Sequence, residues 1–324
     1  MKKVSVIIPN MDGKHFLEKC LGSLAGVSFD DTEIIVIDNG SKDGSPEYIR
    51  TCFPKVRLIQ NPVNLGFAPA VNLGIRAAEG EYVLLLNNDT EVLPGFIEAL
   101  CRALDEDDRI FGASAKMLMY SDKSLTDDAG DLYTVFGLAL QRGNRKPAAA
   151  YDKKAWITAP CGGACMYRKA LLNETGLLDE AFFAYREDLD LGIRARLLGY
   201  RNVYVPEAEV IHYGSGTANQ SGKKYNGFKT RLGTRNLVWV NYKNLPFLMH
   251  ILNLPFILTG ILIKSIFFLK HGLTGVYLKA IFEGLRDIKK VKHIPFRLKN
   301  TGHYLAFEAE LIINCFRVVF ARGK

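Results

Sequence analysis

Residues able to build a covalent or metal framework are scarce in this chain. Six cysteines are spread over 324 residues, and only Cys161 and Cys165 lie close together. No second Cys or His pair has matching spacing, so a disulfide scaffold and a structural zinc site are both set aside and reduced thiols are expected. The opening residues, MKKVSVIIPN, offer only a short apolar stretch before Pro9, too short for the core of a secretion signal. With 12 Pro and 29 Gly, 48% hydrophobic and 23% charged residues, the composition is globular, neither collagen-like nor disordered.

Acidic residues are nearly missing from the last third. Residues 223–324 hold 18 Lys and Arg against 4 Asp and Glu, a net of +14, whereas residues 1–222 hold 24 against 30, a net of −6. The formal charge of +8 is thus a mildly acidic body carrying a strongly basic tail, which points to nucleic acid or an anionic membrane. Phe247–Ile263 contains no Lys, Arg, Asp or Glu. Pro246 and Pro255 are expected to break or kink this run, leaving about eight residues between them and about fourteen up to Leu269, short of the ~20 a spanning helix needs. Lys270, Lys279, Arg286, Lys289, Lys290 and Lys292 interleave with Val276, Leu278, Ile281, Phe282 and Leu285. That pattern suits helices lying in a membrane interface better than a spanning segment or a purely protein-buried bundle.

What is present in the first half is an alternation of β-branched runs and amphipathic stretches. Val4–Pro9, Glu33–Asp38, Val56–Gln60 and Tyr82–Leu86 read as buried strands of a largely parallel sheet, with helices over His15–Leu24, from Pro46 and over Pro69–Ala78. This β-α order predicts an α/β fold with ligands at the carboxyl ends of the strands. Each strand runs into Asn or Asp: Asn10 and Asp12, then Asp38-Asn39-Gly40-Ser41, then Asn61 and Asn64, then Asn87-Asn88-Asp89. Turn chemistry alone explains one or two of these, but four on one edge read as a site. Residues 120–155 are polar and are expected to form an excursion over it. A second α/β stretch follows, with a helix at 168–174, another at 187–198 and a strand at 201–205.

Three positions carry chemistry with competing bland explanations. Asp89, directly after an apolar run, suits a metal bridging two phosphates or an N-cap. Glu187, Asp188 and Asp190 open an amphipathic helix, where the helix dipole favours acids in any case. His212 precedes a Tyr-Gly-Ser loop and matters only if that loop returns to Asp89. No motif offers an activated Ser or Cys nucleophile.

The segments VSVIIPN, IIVIDNGSKDGS, NPVNLGFAPAVNLGI, LLLNNDTEV, CGGACMYRK, FFAYREDLDLGIRARLLGY and VIHYGSG occur in this order. Together, over residues 3–217, they resemble the family 2 glycosyltransferases of GT-A fold, especially bacterial rhamnosyltransferase-like members. The resemblance implies a Rossmann-like, mainly parallel sheet flanked by helices in residues 1–222; the charge and apolar pattern make residues 223–324 a basic, apolar, membrane-associated helical extension. It implies that Asp38 meets the nucleobase, with Pro9, Asn10 and Asn64 nearby. Asn87-Asn88-Asp89 would stand for the family's Asp-x-Asp motif, Asp89 as ligand of Mn2+ or Mg2+ and Asn87 and Asn88 on the donor. Gly162 and Gly163 would let backbone approach the donor sugar or acceptor, Asp188 beside Glu187 would be the general base, and His212 would complete the metal or diphosphate site. The implied donor is a dTDP- or UDP-sugar, dTDP-rhamnose first; a polyprenyl-diphosphate-linked glycan acceptor on the inner face of the cell membrane is expected because it would explain the basic, apolar tail. A nucleotidyltransferase would need a Gly-rich basic loop where Asn10-Met11-Asp12-Gly13-Lys14 has one Gly. A nucleic-acid-binding tail fits the long uncharged run less well than lipid does, so no nucleic-acid partner is expected.

Overall fold

The computed structural model describes residues 3–25, 31–214 and 226–321. The first half alternates β1 (Val4–Asn10), α1 (Lys14–Ala25), β2 (Thr32–Asp38), α2 (Ser45–Cys52), β3 (Arg57–Gln60), α3 (Phe67–Ala77) and β4 (Tyr82–Leu86). There follow β5 (Thr90–Val92), α4 (Phe96–Asp105), β6 (Ile110–Met119), β7 (Asp122–Asp128), β8 (Asp131–Tyr133), β9 (Ala139–Gln141) and β10 (Lys146–Pro147). Then come β11 (Ala155–Ile157), β12 (Ala164–Arg168), α5 (Lys169–Thr175), α6 (Glu187–Leu197) and β13 (Arg201–His212). Four helices close the chain: α7 (Gly227–Asn244), α8 (Phe247–Leu269), α9 (Thr274–Arg286) and α10 (Thr301–Ala321).

The main sheet runs β10-β7-β6-β12-β4-β1-β2-β3, with β13 joined to β6, β5 and β11. β3, β2, β1 and β4 are mutually parallel, and β12 is wedged antiparallel between β4 and β6. Because the first four strands share one direction, their Asn- and Asp-bearing ends share one edge. Pro9 sits in a central strand, beyond the last β1–β4 pair (Ile7 with Leu85), where its missing N–H costs no ladder bond on that side.

Alternation along the strands divides the core. Val6 and Ile8 of β1 pack with Leu17, Cys20 and Leu21 of α1 and with Phe96 and Leu100 of α4. Ile7, with Ile35 and Ile37, packs on Ala70 and Val71 of α3 and Leu191 of α6. A third cluster joins α6 (Leu189, Ile193, Leu197) to Trp239 and Val240 of α7 and Phe307 and Leu311 of α10. The C-terminal helices therefore share a core with α6.

Two expectations change. Residues 120–155, expected as an excursion over the site, are built of strands: β7 and β10 extend the main sheet, and β8 and β9 form a separate hairpin. Neither proline ends the apolar run, since Pro246 is the N-cap of α8 and Pro255 lies inside a helix that continues for 23 residues. A proline forfeits one backbone bond, and the twenty-odd other residues of α8 outvote it. Phe247–Leu269 is also, among the described residues, the one helix long and apolar enough to cross a membrane. The strand placed at 201–205 runs on to His212 through an irregularity after Val205.

The tail is fastened by charge. Asp190, fully buried, accepts from Lys243 Nζ at 2.8 Å, Asn244 Nδ2 at 2.8 Å and Arg194 Nε at 3.0 Å. Burial opposes its ionisation, but Arg194 and Lys243 prevail and hold its pKa below the usual carboxylate value. On α10, Glu310 receives Arg196 Nε at 2.8 Å and the Thr158 hydroxyl at 2.8 Å. Lys243→Ala is expected to cost about 3 kcal/mol in urea unfolding, because it leaves a buried carboxylate short of a partner. A loss under about 0.5 kcal/mol would mean Arg194 suffices.

Candidate active site

The first lobe of the site is built at the ends of β1 and β2. Asn10 and Asp38 are paired in register and both buried. Asn10 Nδ2 donates to Asp38 Oδ2 and to Ser41 Oγ, each at 3.1 Å, and Asp38 Oδ1 accepts from the Ser41 N–H at 3.1 Å. Asn88 Nδ2 donates to Asn10 Oδ1 at 2.7 Å. Asn88 thus buttresses this lobe from the β4 end. Gly13 permits the contact, because a Cβ there would stand 2.0 Å from Asn88 Nδ2. Asn64 is one step removed: its Oδ1 accepts from Asn39 Nδ2 and the Gly66 N–H, both at 2.9 Å, which sets the loop after β3.

The second lobe forms where β4 leaves the sheet. The Asn87 N–H donates to the Gly163 carbonyl at 2.8 Å, and Thr90 Oγ1 donates back to the Asn87 carbonyl at 2.6 Å, closing a tight turn around Asn88 and Asp89. β5 pairs antiparallel with β13, Thr90 opposite His212, so Asp89 and His212, far apart in sequence, become neighbours. Asp89, 2% exposed, places Oδ1 3.4 Å from His212 Nε2. On its other side, His212 Nδ1 lies 2.6 Å from Asp127 Oδ2 at the end of β7. Burial alone would depress the His212 pKa, but hydrogen bonds and charge from Asp127 and Asp89 outweigh it and raise the value to about 10.

Among the described residues, no group of three or more His, Cys, Asp or Glu forms a complete metal site. Asp89 and His212 are the two side chains here that could hold Mg2+ or Mn2+, an ion that takes one or two side chains and otherwise substrate phosphate and water. Their 3.4 Å separation is near that of adjacent ligands on one ion. Asp127 on Nδ1 is the outer partner that a histidine ligand ordinarily has, fixing the ring with Nε2 forward. Asp127 escaped the sequence reading because a polar hairpin such as Asp122–Asp128 looks like a solvated loop, and its pairing with β6 carries no local signal.

The third lobe is the start of α6. Asp188 Oδ2 accepts from the Gly162 N–H at 3.0 Å and Oδ1 from the Leu189 N–H at 2.7 Å. A Cβ on Gly163 would stand 3.1 Å from Met117 and 3.2 Å from Asn87 Nδ2. Gly162 and Gly163 thereby link the Asn87 turn to Asp188. The three acids at this helix start divide their work. Asp190 faces away and fastens α7. Glu187 is buried, its Oε2 without a hydrogen-bond partner, and burial followed by the charge of Asp188 raises its pKa to about 8. Asp131, which sequence reading also missed, is buried with its pKa raised to about 7, first by burial and then by Asp188, with Arg186 opposing from 4.0 Å.

A mainly parallel Rossmann-like sheet flanked by helices, with polar side chains gathered at its strand ends, is the architecture of the GT-A fold. The Glycosyl transferase family 2 signature matches residues 5–176. N-acetylglucosaminyl-diphospho-decaprenol L-rhamnosyltransferase of Mycobacterium tuberculosis is 32% identical over 231 residues, covering 64% of this chain and 75% of that protein. The chain belongs to glycosyl transferase family 2. Among solved structures, GalNAc-T7 with UDP, GalNAc and Mn2+ superposes with a TM-score of 0.59 at 18% identity, over 74% of this chain but only 48% of its own. The mannosyltransferase PcManGT from Pyrobaculum calidifontis, in complex with GDP-Man and Mn2+, gives 0.56 at 16% identity, over 88% and 87%. Both likenesses establish the GT-A fold.

Glu187 gives a pH test. Its folded pKa of about 8 lies above the ordinary Glu value of about 4.3, so the native state holds an extra proton between those limits. The stability this proton brings is present at low pH and is lost as pH rises through that window. Glu187→Gln should flatten the melting-temperature profile between about pH 5 and about pH 8. A wild-type profile already as flat as the variant's would show that Glu187 is ionised in the fold.

Proposed function

We propose that this protein transfers a sugar, first choice rhamnose from dTDP-rhamnose, to a lipid-linked glycan by inverting displacement in cell-surface polysaccharide synthesis. The observation that carries the reading is the grouping of Asp38, Asp89 and His212 at the strand ends with Asp188 at the start of α6, in a chain 32% identical over 231 residues to a rhamnosyltransferase named for an N-acetylglucosaminyl-diphospho-decaprenol. A UDP-hexose or UDP-N-acetylhexosamine donor is the alternative, with the same residues in the same roles.

In this reading Pro9, Asn10 and Asp38 hold the nucleobase end, Asn64 sets the adjoining loop, and Asn87 and Asn88 border the ribose and diphosphate. Asp89 and His212 would hold Mn2+ or Mg2+, whose chemistry when bound is neutralisation of the departing diphosphate. Asp188 takes the proton from the acceptor hydroxyl while its oxygen attacks the anomeric carbon and the carbon–oxygen bond to the diphosphate breaks. The Gly162 N–H keeps Asp188 aimed by binding one oxygen. Neutral Glu187 spares Asp188 a second adjacent charge.

Residues 223–324 would act as the membrane-facing extension. Apolar side chains stand out on α8 and α9, with Phe247 77%, Leu248 65%, Leu269 71% and Phe282 69% exposed. Exposed apolar surface of this extent marks an interface, and flanking Lys and Arg favour an anionic lipid surface on the cytoplasmic side.

Calorimetric titration of the purified protein with dTDP, UDP and GDP, with and without Mn2+, tests the donor site. One nucleotide should bind with metal dependence, Asp89→Ala should lose that dependence, and Asp188→Asn should bind normally while transfer falls by about 10²–10⁴-fold. Unchanged turnover in Asp188→Asn would remove it as the base. Membrane flotation tests the extension. Leu248→Glu, Leu252→Glu and Leu262→Glu together should release the protein from anionic vesicles. Retention by the triple variant would return α8 to protein packing.

A further inference from the structure

Between α7, α8 and α9 and the turn joining β8 to β9 lies a cavity of about 190 Å³ that the donor site does not use. Its wall along α7 and α8 carries Leu237, Ile257, Ile261 and Phe268, with Lys264 Nζ 5.9 Å from the Phe268 ring at the far end, and it also carries Arg186 and Lys229. Those two cations belong to the catalytic end. Arg186 immediately precedes Glu187 and Asp188 and lies 4.0 Å from Asp131. Lys229 Nζ sits 5.7 Å from the Tyr185 ring, and the charges acting on it are those of Arg186 and Asp127. The α8 wall is seated directly on the hairpin turn, since a Cβ on Gly260 would stand 2.1 Å from the Phe136 carbonyl oxygen.

An apolar cleft whose active-site end carries an Arg and a Lys matches a molecule with an anionic head and a hydrocarbon stem. At about 190 Å³ it is smaller than the roughly 300–1,000 Å³ of a site that encloses a whole drug-sized ligand. Only the beginning of a long chain fits, and the remainder would pass onto the exposed apolar faces of α8 and α9. We propose that this cavity binds the prenyl diphosphate end of the acceptor, its phosphates on Arg186 and Lys229 and its first isoprene units along Leu237, Ile257, Ile261 and Phe268. The inference rests on the glycosyltransferase reading and adds the acceptor subsite to it. The sugar to be modified is thereby set beside Asp188, while the bilayer keeps the tail.

Gly233 provides the test, because it lines the cavity and a Cβ built on it meets nothing within 4 Å. Gly233→Phe fills the cleft, and replacing a helical glycine does not weaken α7. The full chain, saturated with its nucleotide diphosphate and Mn2+, is titrated calorimetrically with geranyl diphosphate and with inorganic diphosphate. Wild type should bind geranyl diphosphate at least ten times more tightly than inorganic diphosphate. Gly233→Phe should erase that preference with nucleotide affinity unchanged, and Lys229→Gln, on the solvent-reached rim of α7, should weaken both diphosphates. Equal binding of the two by wild type, or a preference that survives Gly233→Phe, overturns the acceptor subsite while the nucleotide result stands. Failure of any nucleotide to bind would instead overturn the glycosyltransferase reading beneath it.

Discussion

Phe183, Tyr185 and Arg186 all adopt positive φ, at 65°, 72° and 74°, within four residues and without a glycine among them. Each such residue costs on the order of 1–3 kcal/mol, so the segment leading into Glu187 and Asp188 cannot hold itself. It is held from outside. Asn236 on α7 directs its amide at the carbonyls of Phe182, Ala184 and Tyr185 at 3.0, 2.9 and 2.7 Å, and the Phe67 N–H donates to the Phe183 carbonyl at 2.6 Å. The strained turn delivers the first residues of α6 to the Gly162 N–H, and everything proposed for Asp188 depends on that delivery. An asparagine in the C-terminal helical region therefore shapes the centre of the catalytic part. The same dependence explains why Asp190, two residues beyond Asp188, spends its charge on Lys243 and Asn244 of α7 rather than on chemistry. Removal of residues 247–324 would consequently disturb the catalytic part, since α10 also packs on α6.

Electrostatics sort a crowd of carboxyls into different states. Asp89 and Asp127 flank His212 on its two ring nitrogens, and both favour its protonated form. Binding a metal at Nε2 and Asp89 would displace that proton, with Asp127 left to steady the ring. A few residues away, Asp131 and Glu187 are buried beside Asp188 and respond by holding protons. Ionising both would put three charges into one poorly solvated space, and desolvation makes that the costlier arrangement. The two halves of the site thus avoid repulsion by opposite means, one by recruiting a cation and the other by neutralisation.

The legible portion of this molecule is the portion governed by local periodicity. Tyr82–Leu86 matched its strand residue for residue, and the neighbouring strands and helices fell within a residue or two, because a buried parallel strand must be a continuous apolar run. Asn and Asp at four successive strand ends were legible as a shared edge once the strands were taken to be parallel. What stayed hidden depends on pairing through space. Asp127 reaches His212 through the β7 ladder, Asp131 comes within electrostatic reach of Asp188 from the separate β8–β9 hairpin, and Asn236 fits under a loop 51 residues earlier. None of these has a signature in spacing. Asp190 shows the converse difficulty, since composition could not separate an acid that binds the tail from its neighbour aimed at the Gly162 turn. Pro255 misled for a related reason: a single proline is a strong local signal, but its loss of one bond is small against the packing and backbone bonding of a 23-residue helix.

That helix also bears on how a lipid-linked acceptor could meet a water-soluble donor. One face of α8 is committed to protein, with Asn253 donating to Glu308 at 3.0 Å and Gly260 against the hairpin turn. Most of its remaining surface is bare hydrocarbon. A helix that spanned the bilayer alone would have no reason to keep Asn253 and Gly260 in contact with the catalytic body, whereas one lying in the interface can serve both neighbours at once. An interfacial α8 would leave the strand ends facing the aqueous donor while the cleft between α7 and α8 opens beside the acyl chains. The basic side chains that follow α8 would then fix the depth of the assembly by meeting lipid headgroups, and in the proposed reading that depth would align a membrane-bound sugar with Asp188.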